Sequence, residues 1–477
     1  MKIMLVYSGT DHGFQNFMAV PPVGIIALYS ALPQEHREKT VFLDGNLIQT
    51  TDIEEIIIDE RPDIVGISSL TFGYENAINI GKTAKIAGAK VVLGGRHATD
   101  LCQNIYVKMK HGLRPFDYLV YGEGEERFLN IVQDLFETGN VQRCPNVFPK
   151  DGSFSPSIIT EQTTGFDRVF PVLDYSLLTG GSSLKEYVKR IGRIGILNDA
   201  NFSMPIITQR GCHYSYQRQC KFCSIPRVNP KIPYEVFENS LQNLLEQTGA
   251  DNVWITDADL TVNVSHLKEI RRRVKRVKER ISVDFSIYAF ARSDDVLREG
   301  VADLLVDTGV RAVFIGYEHG SNSLLRKMGK RTTKQQNLQA TKILAEKGIE
   351  VICGGIVLGT PGETLETLDQ ALGFAEELAD TGNVRSIFAS PVYPLPSAPY
   401  WKEFLDVLKI ADPFYYERIL EEDILDEEDL VERFQKVIHL MKGGVRESDK
   451  PSLEQIMRIK EEISKIIGKG IQFTDRF

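Results

Sequence analysis

The sequence contains little that would take it out of water. None of its 477 residues falls in a run approaching the ~18 apolar residues of a membrane span. The opening MKIMLVYSG has one charge, a short apolar run and no small-residue cleavage pattern after it, so it reads as a buried first strand rather than a secretory signal. Cysteine is sparse, at six residues, and Cys102, Cys144 and Cys353 are scattered, which argues against a disulfide framework and predicts a cytoplasmic protein with reduced thiols. Positive charge is in deficit as well: 56 Lys and Arg face 65 Asp and Glu, a net charge of -9 that excludes a broad basic surface for nucleic acid. The local run of Arg271, Arg272, Arg273, Lys275 and Arg276 has interleaved acids and reads as a solvated helix face. With 42% apolar and 25% charged residues the chain is an ordinary globular one, long enough for two or three domains.

Half of the cysteines lie together. Cys212, Cys220 and Cys223 occupy RGCHYSYQRQCKFCSIP, just after a short apolar run. Thiolates are soft ligands suited to iron-sulfur clusters, zinc or copper(I). Structural zinc wants four ligands, and neither a second Cys-x-x-Cys pair nor a well-placed histidine completes such a site, since His213 is adjacent to Cys212. Three cysteines on a four-iron, four-sulfur cluster leave one iron without a protein thiolate, free to bind something else. Iron-sulfur leads and zinc remains the rival on these residues alone.

The first 150 residues alternate short apolar runs with helix-like segments, the pattern of a doubly wound five-stranded parallel sheet. The predicted strands are Lys2 to Tyr7, Thr40 to Asp44, Ile64 to Ser68, Lys90 to Leu93 and Asp117 to Tyr121. Ligands of such sheets bind beyond the carboxyl ends of the strands, where this chain has PPVG, DGN, SSLTFG, GGRHATD and GEGEE. One glycine-rich turn is commonplace, whereas five on one edge point to a large ligand; no G-x-G-x-x-G follows the first strand, so a dinucleotide is not indicated. Residues 151–203 read as a connecting segment. Alternation resumes over 204–405, with strands predicted at Pro205 to Gln209, Asn252 to Thr256, Val283 to Tyr288, Ala312 to Gly316, Val351 to Leu358 and Ser386 to Pro391. Helix-like segments between them predict a six-stranded partial TIM-type barrel with the cysteine loop on its active face. Residues 406–477 read as a helical C-terminal region.

These barrel motifs resemble those of the radical S-adenosylmethionine (SAM) enzymes. Phe222 is the aromatic residue of the cluster loop. VWITDADLTVN resembles the second-strand region, with Asp257 and Asp259 as candidate acceptors for the methionine amine. Arg292 is a candidate donor to the carboxylate, its alternative being a salt bridge with Asp294 or Asp295. VFIGYEHGSNSLLRKMGKRTT resembles the fourth-strand motif, in which Glu318 contacts the SAM ribose or methionine moiety, and GGIVLGTPGET the fifth, in which Gly355, Val357 and Gly359 pack against adenine. The chain departs from the usual pattern in having seven residues, not three, between the first two cysteines, room for Tyr214, Tyr216 or Arg218 to reach a substrate or for a plain surface bulge.

The N-terminal segments PPVGIIALYSAL, VVLGGRHATD and FDYLVYGEGEERF resemble the cobalamin-binding domain of one large branch of that family. The resemblance implies cofactor contacts from Pro22, Gly24, Ser68, Leu70, Thr71, Gly94, Gly95, His97, Thr99, Gly122, Glu123, Gly124 and Glu125. Asp11, His12 and Gly13 follow one another directly, so the Asp-x-His-x-x-Gly loop that supplies a histidine to cobalt is absent. Leu70 is then the candidate for the lower face of the ring, with His97 as the rival ligand or, alternatively, a loop histidine bonded to the corrin edge or to backbone.

A cluster, SAM and cobalamin together imply a methyltransferase. A 5'-deoxyadenosyl radical would open an unactivated carbon, or less readily phosphorus, and methylcobalamin would donate the methyl group. The substrate would be a peptide, natural product or lipid, and a flavodoxin or ferredoxin would supply electrons. The alternatives are a cyclase, a ring-contraction or carbon-carbon coupling enzyme with the same cofactors, and a cobalamin or redox sensor without catalysis. An RNA methylthiotransferase would need three further cluster cysteines in its N-terminal domain, where this chain has only Cys102 and Cys144, and a basic C-terminal module, where its tail is acidic.

Overall fold

The computed structural model describes residues 1–9, 20–142, 144, 146–150, 170–179, 184–185, 187, 203–214, 219–227 and 230–466. Asp11, His12 and Gly13, most of the predicted connecting segment, and 467–477 lie outside the described residues. The chain divides into two compact units: Met1–Arg190 with Glu235–Gly249 and Arg418–Leu425, and Ile191–Tyr234 with Ala250–Glu417 and Asp426–Phe477.

In the first unit the apolar runs pair as a sheet in the order β2-β1-β3-β4-β5-β6. Its strands are β1 (Ile3–Tyr7), β2 (Thr40–Asp44), β3 (Ile64–Ser68), β4 (Lys90–Gly94), β5 (Tyr118–Val120) and β6 (Val147–Pro149). The five predicted strands are parallel and in place; the sixth, antiparallel to β5, adds an edge that the five-stranded reading did not contain. It is three residues long and ends in proline, which gives no alternation to read and suits an edge. Every residue of β1 is buried, as a strand covered on both faces requires. Helices α1 (Val23–Ala31), α2 (Thr50–Glu60), α3 (Tyr74–Ile86), α4 (Arg96–Asp100), α5 (Cys102–Lys110) and α6 (Glu125–Glu137) follow the strands, with α1 packed on α6 and α2 on α3.

The strand order reverses between β1 and β3, and their ends are in register: Tyr7 pairs with Ser68, and Ser68 with Gly94. Chain crossing this switch point is packed to contact. A Cβ on Gly73 would lie 1.8 Å from the Gly9 carbonyl oxygen, and one on Gly45 would lie 2.7 Å from that of Ser8.

The second unit is a six-stranded sheet in strict sequence order, β7 (Ser203–Ile206), β8 (Asn252–Ile255), β9 (Ser286–Ala291), β10 (Val310–Glu318), β11 (Glu350–Leu358) and β12 (Ile387–Pro391). All neighbours are parallel and β7 does not pair with β12, so the barrel is partial, as predicted. Helix α7 (Tyr234–Thr248), between β7 and β8 in sequence, falls in the first unit; the crossover helices of the second include α8 (Val264–Ile281), α9 (Val301–Thr308), α10 (Lys334–Glu346) and α11 (Leu365–Ala379). Asn263 caps α8 by accepting from the His266 amide, and Thr333 and Thr364 open α10 and α11 with capping boxes. The C-terminal helices are α12 (Pro399–Ala411), α13 (Pro413–Glu421), α14 (Glu427–Val437) and α15 (Leu453–Ile466).

Replacing Gly73 with alanine should therefore cost about 1–3 kcal/mol through overpacking. Urea unfolding checks it; a midpoint equal to that of the parent would show that the switch point is looser than described.

Candidate functional site

The cysteine loop is a lasso closed at its base. Gln209 bridges antiparallel to Lys231, the Ile232 amide donates to the Thr208 carbonyl at 2.9 Å, and the Cys212 amide to that of Pro226 at 3.3 Å. At its tip the Cys223 amide donates to the Cys220 carbonyl at 3.1 Å, while Lys221 donates to the Met328 carbonyl and accepts from the Tyr400 amide. The backbone around Cys220 is thereby clamped to the barrel on two sides.

Cys220 is buried and Cys212 and Cys223 are partly exposed at the surface. Burial pushes the Cys223 thiol up to about 12 and raises Cys220 too; Cys223 also feels Cys220 and Cys212 electrostatically, and Cys220 feels Cys212. Among the described residues no three His, Cys, Asp or Glu converge on a single-ion site. A cubane cluster asks for less convergence, because each thiolate binds a different iron. Three neighbouring soft ligands that ionise only beside a compensating cation fit a cluster better than one zinc ion.

Asp257 and Asp259, two residues apart after β8, do different work. Asp257 is buried and accepts from the Thr208 amide at 2.7 Å, the Gln209 amide at 3.3 Å and the Thr208 hydroxyl, so it ties the end of β7 in place. Burial raises it to about 6, against those three donors. Asp259 accepts from the Thr261 amide and hydroxyl through one oxygen, at 2.9 and 2.7 Å. Its other oxygen is buried without a donor, as is the side-chain oxygen of Gln209, whose amide nitrogen donates to the Asp259 carbonyl at 2.9 Å. Burial and the neighbouring Asp295 carboxylate hold Asp259 well above the usual carboxylate range. Two buried acceptors without donors, on residues joined by a hydrogen bond, suit an ammonium group, which is what the amine of SAM offers.

The end of β10 carries the site's other charge pair. A register shift between Gly316 and Glu318 leaves Glu318 with φ 68°, a left-handed conformation that re-aims its side chain. Its carboxylate pairs at 2.9 Å with Lys330, whose ammonium also donates to the Gly316 carbonyl at 3.0 Å. A Cβ at position 316 would lie 2.4 Å from the Glu318 carboxylate and would push that side chain aside. Burial alone would lower the Lys330 pKa, but Glu318 and Cys220 outweigh it and raise it. Sequence reasoning missed Lys330; the only signal was a basic residue in KMGKRTT, indistinguishable there from its exposed neighbours.

Arg292 pairs with Asp294 at 3.0 Å and stacks on the Tyr214 ring at 3.8 Å. Tyr214 is folded back onto the barrel, its hydroxyl donating to the Gly329 carbonyl at 2.8 Å, while Tyr216 and Arg218 lie outside the described residues. Phe222 is half-buried beside the cysteines. On β11, Gly355 and Val357 are half-buried among buried neighbours, and a Cβ on Gly355 would rest 3.7 Å from the Phe314 ring. Gly359, at φ 69°, donates to Glu363 at 3.1 Å and accepts from Gln435 at 2.7 Å. Of the aromatic residues near the barrel mouth, Tyr317 and Tyr400 are core, while Phe290 stacks between Trp254 and Phe314.

In the first unit the predicted residues line one edge. Ser68 ends β3 and Leu70 and Thr71 follow it, Gly94 ends β4 with Gly95 and Thr99 of α4 after it, and Gly122, Glu123, Gly124 and Glu125 follow β5, while Pro22 and Gly24 open α1. The loops are stitched together: Ser69 donates to the Gly94 carbonyl and His97 to that of Ser69, both at 3.2 Å, and Gly122 donates to the Thr99 hydroxyl at 3.1 Å. Gly95 has φ 94°, and a Cβ there would lie 2.6 Å from the Ser69 amide. Leu70 is an apolar side chain 39% exposed on this rim, suited to the flat face of a macrocycle. His97 is enclosed, with Nε2 2.7 Å from the Asp423 carbonyl, and burial lowers it to about 4. It is neutral and bonded to backbone.

Two outcomes follow. Lys330→Met should cost about 3–5 kcal/mol because it strands the Glu318 charge, and adding Glu318→Gln should recover much of that; denaturant unfolding of the double-mutant cycle measures it. For His97, whose folded value lies below the unfolded 6.5, the contribution to stability is full above pH 6.5 and is lost as pH falls toward 4. His97→Gln should flatten the stability profile across that window, and a profile unchanged in slope would remove the assignment.

Two family profiles match the chain: the B12 binding domain over residues 18–132 and the Radical SAM superfamily over residues 206–375. An uncharacterized methyltransferase of Pyrococcus horikoshii is 27% identical over 404 residues, covering 83% of this chain and 81% of its own length. The anaerobic magnesium-protoporphyrin IX monomethyl ester cyclase of Rubrivivax gelatinosus is 24% identical over 449 residues, covering 91% and 76%. Among solved structures, the radical SAM methyltransferase TsrM of Kitasatospora setae, with tryptophan and a SAM analog bound, aligns with a TM-score of 0.60 at 18% identity, covering 85% of this chain and 76% of that one. The chain therefore belongs to the cobalamin-binding radical SAM enzyme family, in its methyltransferase-like branch, and takes a 4Fe-4S cluster, SAM and cobalamin as cofactors.

Proposed function

We propose that this enzyme methylates an unactivated carbon, with phosphorus the second choice, of a peptide, natural-product or lipid substrate. The observation that carries the reading is a three-cysteine loop at the head of a radical SAM barrel in the same chain as a B12-binding sheet. In this proposal residues 1–150 form the cobalamin domain, 151–203 a connection, 204–405 the barrel and 406–477 a helical region. Bound together, these cofactors supply a radical able to abstract hydrogen and a transferable methyl group.

The chain's own groups would hold and orient. Cys212, Cys220 and Cys223 provide the cluster's thiolates and leave one iron for SAM. Asp259 and Gln209 offer the amine their unpartnered oxygens, and Asp257 fixes the strand end that presents them. Lys330 and Glu318 keep a compensated charge pair beside Cys220, and Arg292 adds a second cation restrained by Asp294. Gly355 and Val357, half-buried on β11, leave a low surface for adenine, whereas Gly359 is covered by Gln435 and Ile456. The rim from Leu70 to Glu125 would face the corrin with backbone and one apolar side chain, with no histidine offered to cobalt. Electrons would come from a flavodoxin or ferredoxin.

A cyclisation or other carbon-skeleton reaction is the second reading, favoured by the 91% of this chain that aligns with the Rubrivivax cyclase. Anaerobic incubation of the loaded enzyme with reductant, CD3-labelled SAM and fractionated small-molecule extract separates the two. The methyltransferase reading expects S-adenosylhomocysteine beside 5'-deoxyadenosine and a product carrying CD3 in place of hydrogen, all lost in Cys223→Ala. Turnover that yields 5'-deoxyadenosine alone would reject it.

A further inference from the structure

Asp423 belongs to the first unit although the residues on either side of 418–425 belong to the second. In sequence it sits in the acidic run EEDILDEED, yet its side chain is fully buried. Its carboxylate is held by Arg114 through both nitrogens of a fork, Nε at 2.7 Å, with Lys108 at 3.6 Å, and it accepts from the Tyr74 hydroxyl at 2.9 Å. Its carbonyl meets His97 Nε2 at 2.7 Å, and Asn104 donates to the Leu420 carbonyl at 2.6 Å. The charge balance is complete: burial opposes the ionised form of Asp423, and Arg114, Tyr74 and Lys108 more than offset it.

The groups that Asp423 grips lead directly to the cofactor rim. Tyr74 begins α3, three residues after Thr71, and its ring lies 4.3 Å from that of His97. His97 lies in α4, directly after β4, and its amide bond to the Ser69 carbonyl joins it to the loop carrying Leu70. One residue thus anchors the loops after β3 and β4 from beneath. A buried carboxylate shared by three donors is an expensive way to hold a tail helix in place, but an effective way to fix two loops in one register.

We infer that Asp423 is a positioning residue for cobalamin, acting through Tyr74 and His97 to preset the loops Ser68–Thr71 and Gly94–Thr99. The inference rests on the reading of that rim as the corrin face. A loop pair held in its binding arrangement has nearly all of its population competent, and releasing it raises the apparent Kd in proportion to the population lost.

The test uses the full-length, cofactor-free protein, titrated with hydroxocobalamin well below its unfolding temperature and followed by absorbance. Asp423→Ala should weaken binding by about tenfold or more, and Tyr74→Phe, which removes one hydroxyl and keeps the ring on His97, by about fivefold. Iron content after cluster reconstitution should match the parent in both. Amide hydrogen exchange at Leu70–Thr71 and His97–Thr99 should quicken in the same order without cofactor. If Asp423→Ala does not fold, Tyr74→Phe decides alone. Binding within twofold of the parent, with unchanged exchange, overturns the inference. A parent protein that takes up no cobalamin overturns instead the reading of the rim.

Discussion

The ammonium of Lys330 is the charge on which the barrel site depends. It neutralises Glu318 at the one place where β10 leaves regular geometry, and it acts on Cys220, the most buried of the three thiols. The left-handed backbone at Glu318 and the open space over Gly316 suit that pair, since the carboxylate lies where a Cβ on residue 316 would be. A buried pair of this kind is a poor source of net stability and a good source of register. It fixes which groups surround the cysteine loop before any cofactor arrives.

The two units solve the same problem by different means. The barrel surrounds its loop with charges that are compensated in pairs, Lys330 with Glu318 and Arg292 with Asp294, and leaves two acceptors, on Asp259 and Gln209, unsatisfied. The sheet unit has close backbone packing at Gly9, Gly45, Gly73 and Gly95 along its rim, and a buried ionic network around Asp423. An ammonium-bearing, highly polar ligand suits the first arrangement and a broad macrocycle the second.

Much of the fold was legible because parallel strands are long apolar runs and the runs here are separated by helix-length segments; β2 and β3 fall on the predicted residues. The edge strand β6 was not, having three residues and a proline. Local motifs offered Cys212, Asp259 and Glu318 as candidates, but not the partners that surround them. Lys330 acquires meaning from a contact twelve positions away across a bulge, and Asp423 from contacts made more than three hundred positions away. An acidic run reads as solvated until the fold supplies Arg114. For His97 the sequence offered both a ligand and a histidine bonded to the corrin edge or to backbone, and the structure places its ring against the Asp423 carbonyl.

The central claim is that one chain holds a cysteine-bound cluster and, independently, cobalamin. Mössbauer spectroscopy of the anaerobically reconstituted protein, with cobalamin quantified on the same sample, tests it most directly. The account predicts one 4Fe-4S cluster and one cobalamin per chain, with the cluster lost and the cobalamin retained in Cys212→Ala, Cys220→Ala and Cys223→Ala. A cluster that survives removal of these cysteines, or a protein that excludes cobalamin, would contradict it.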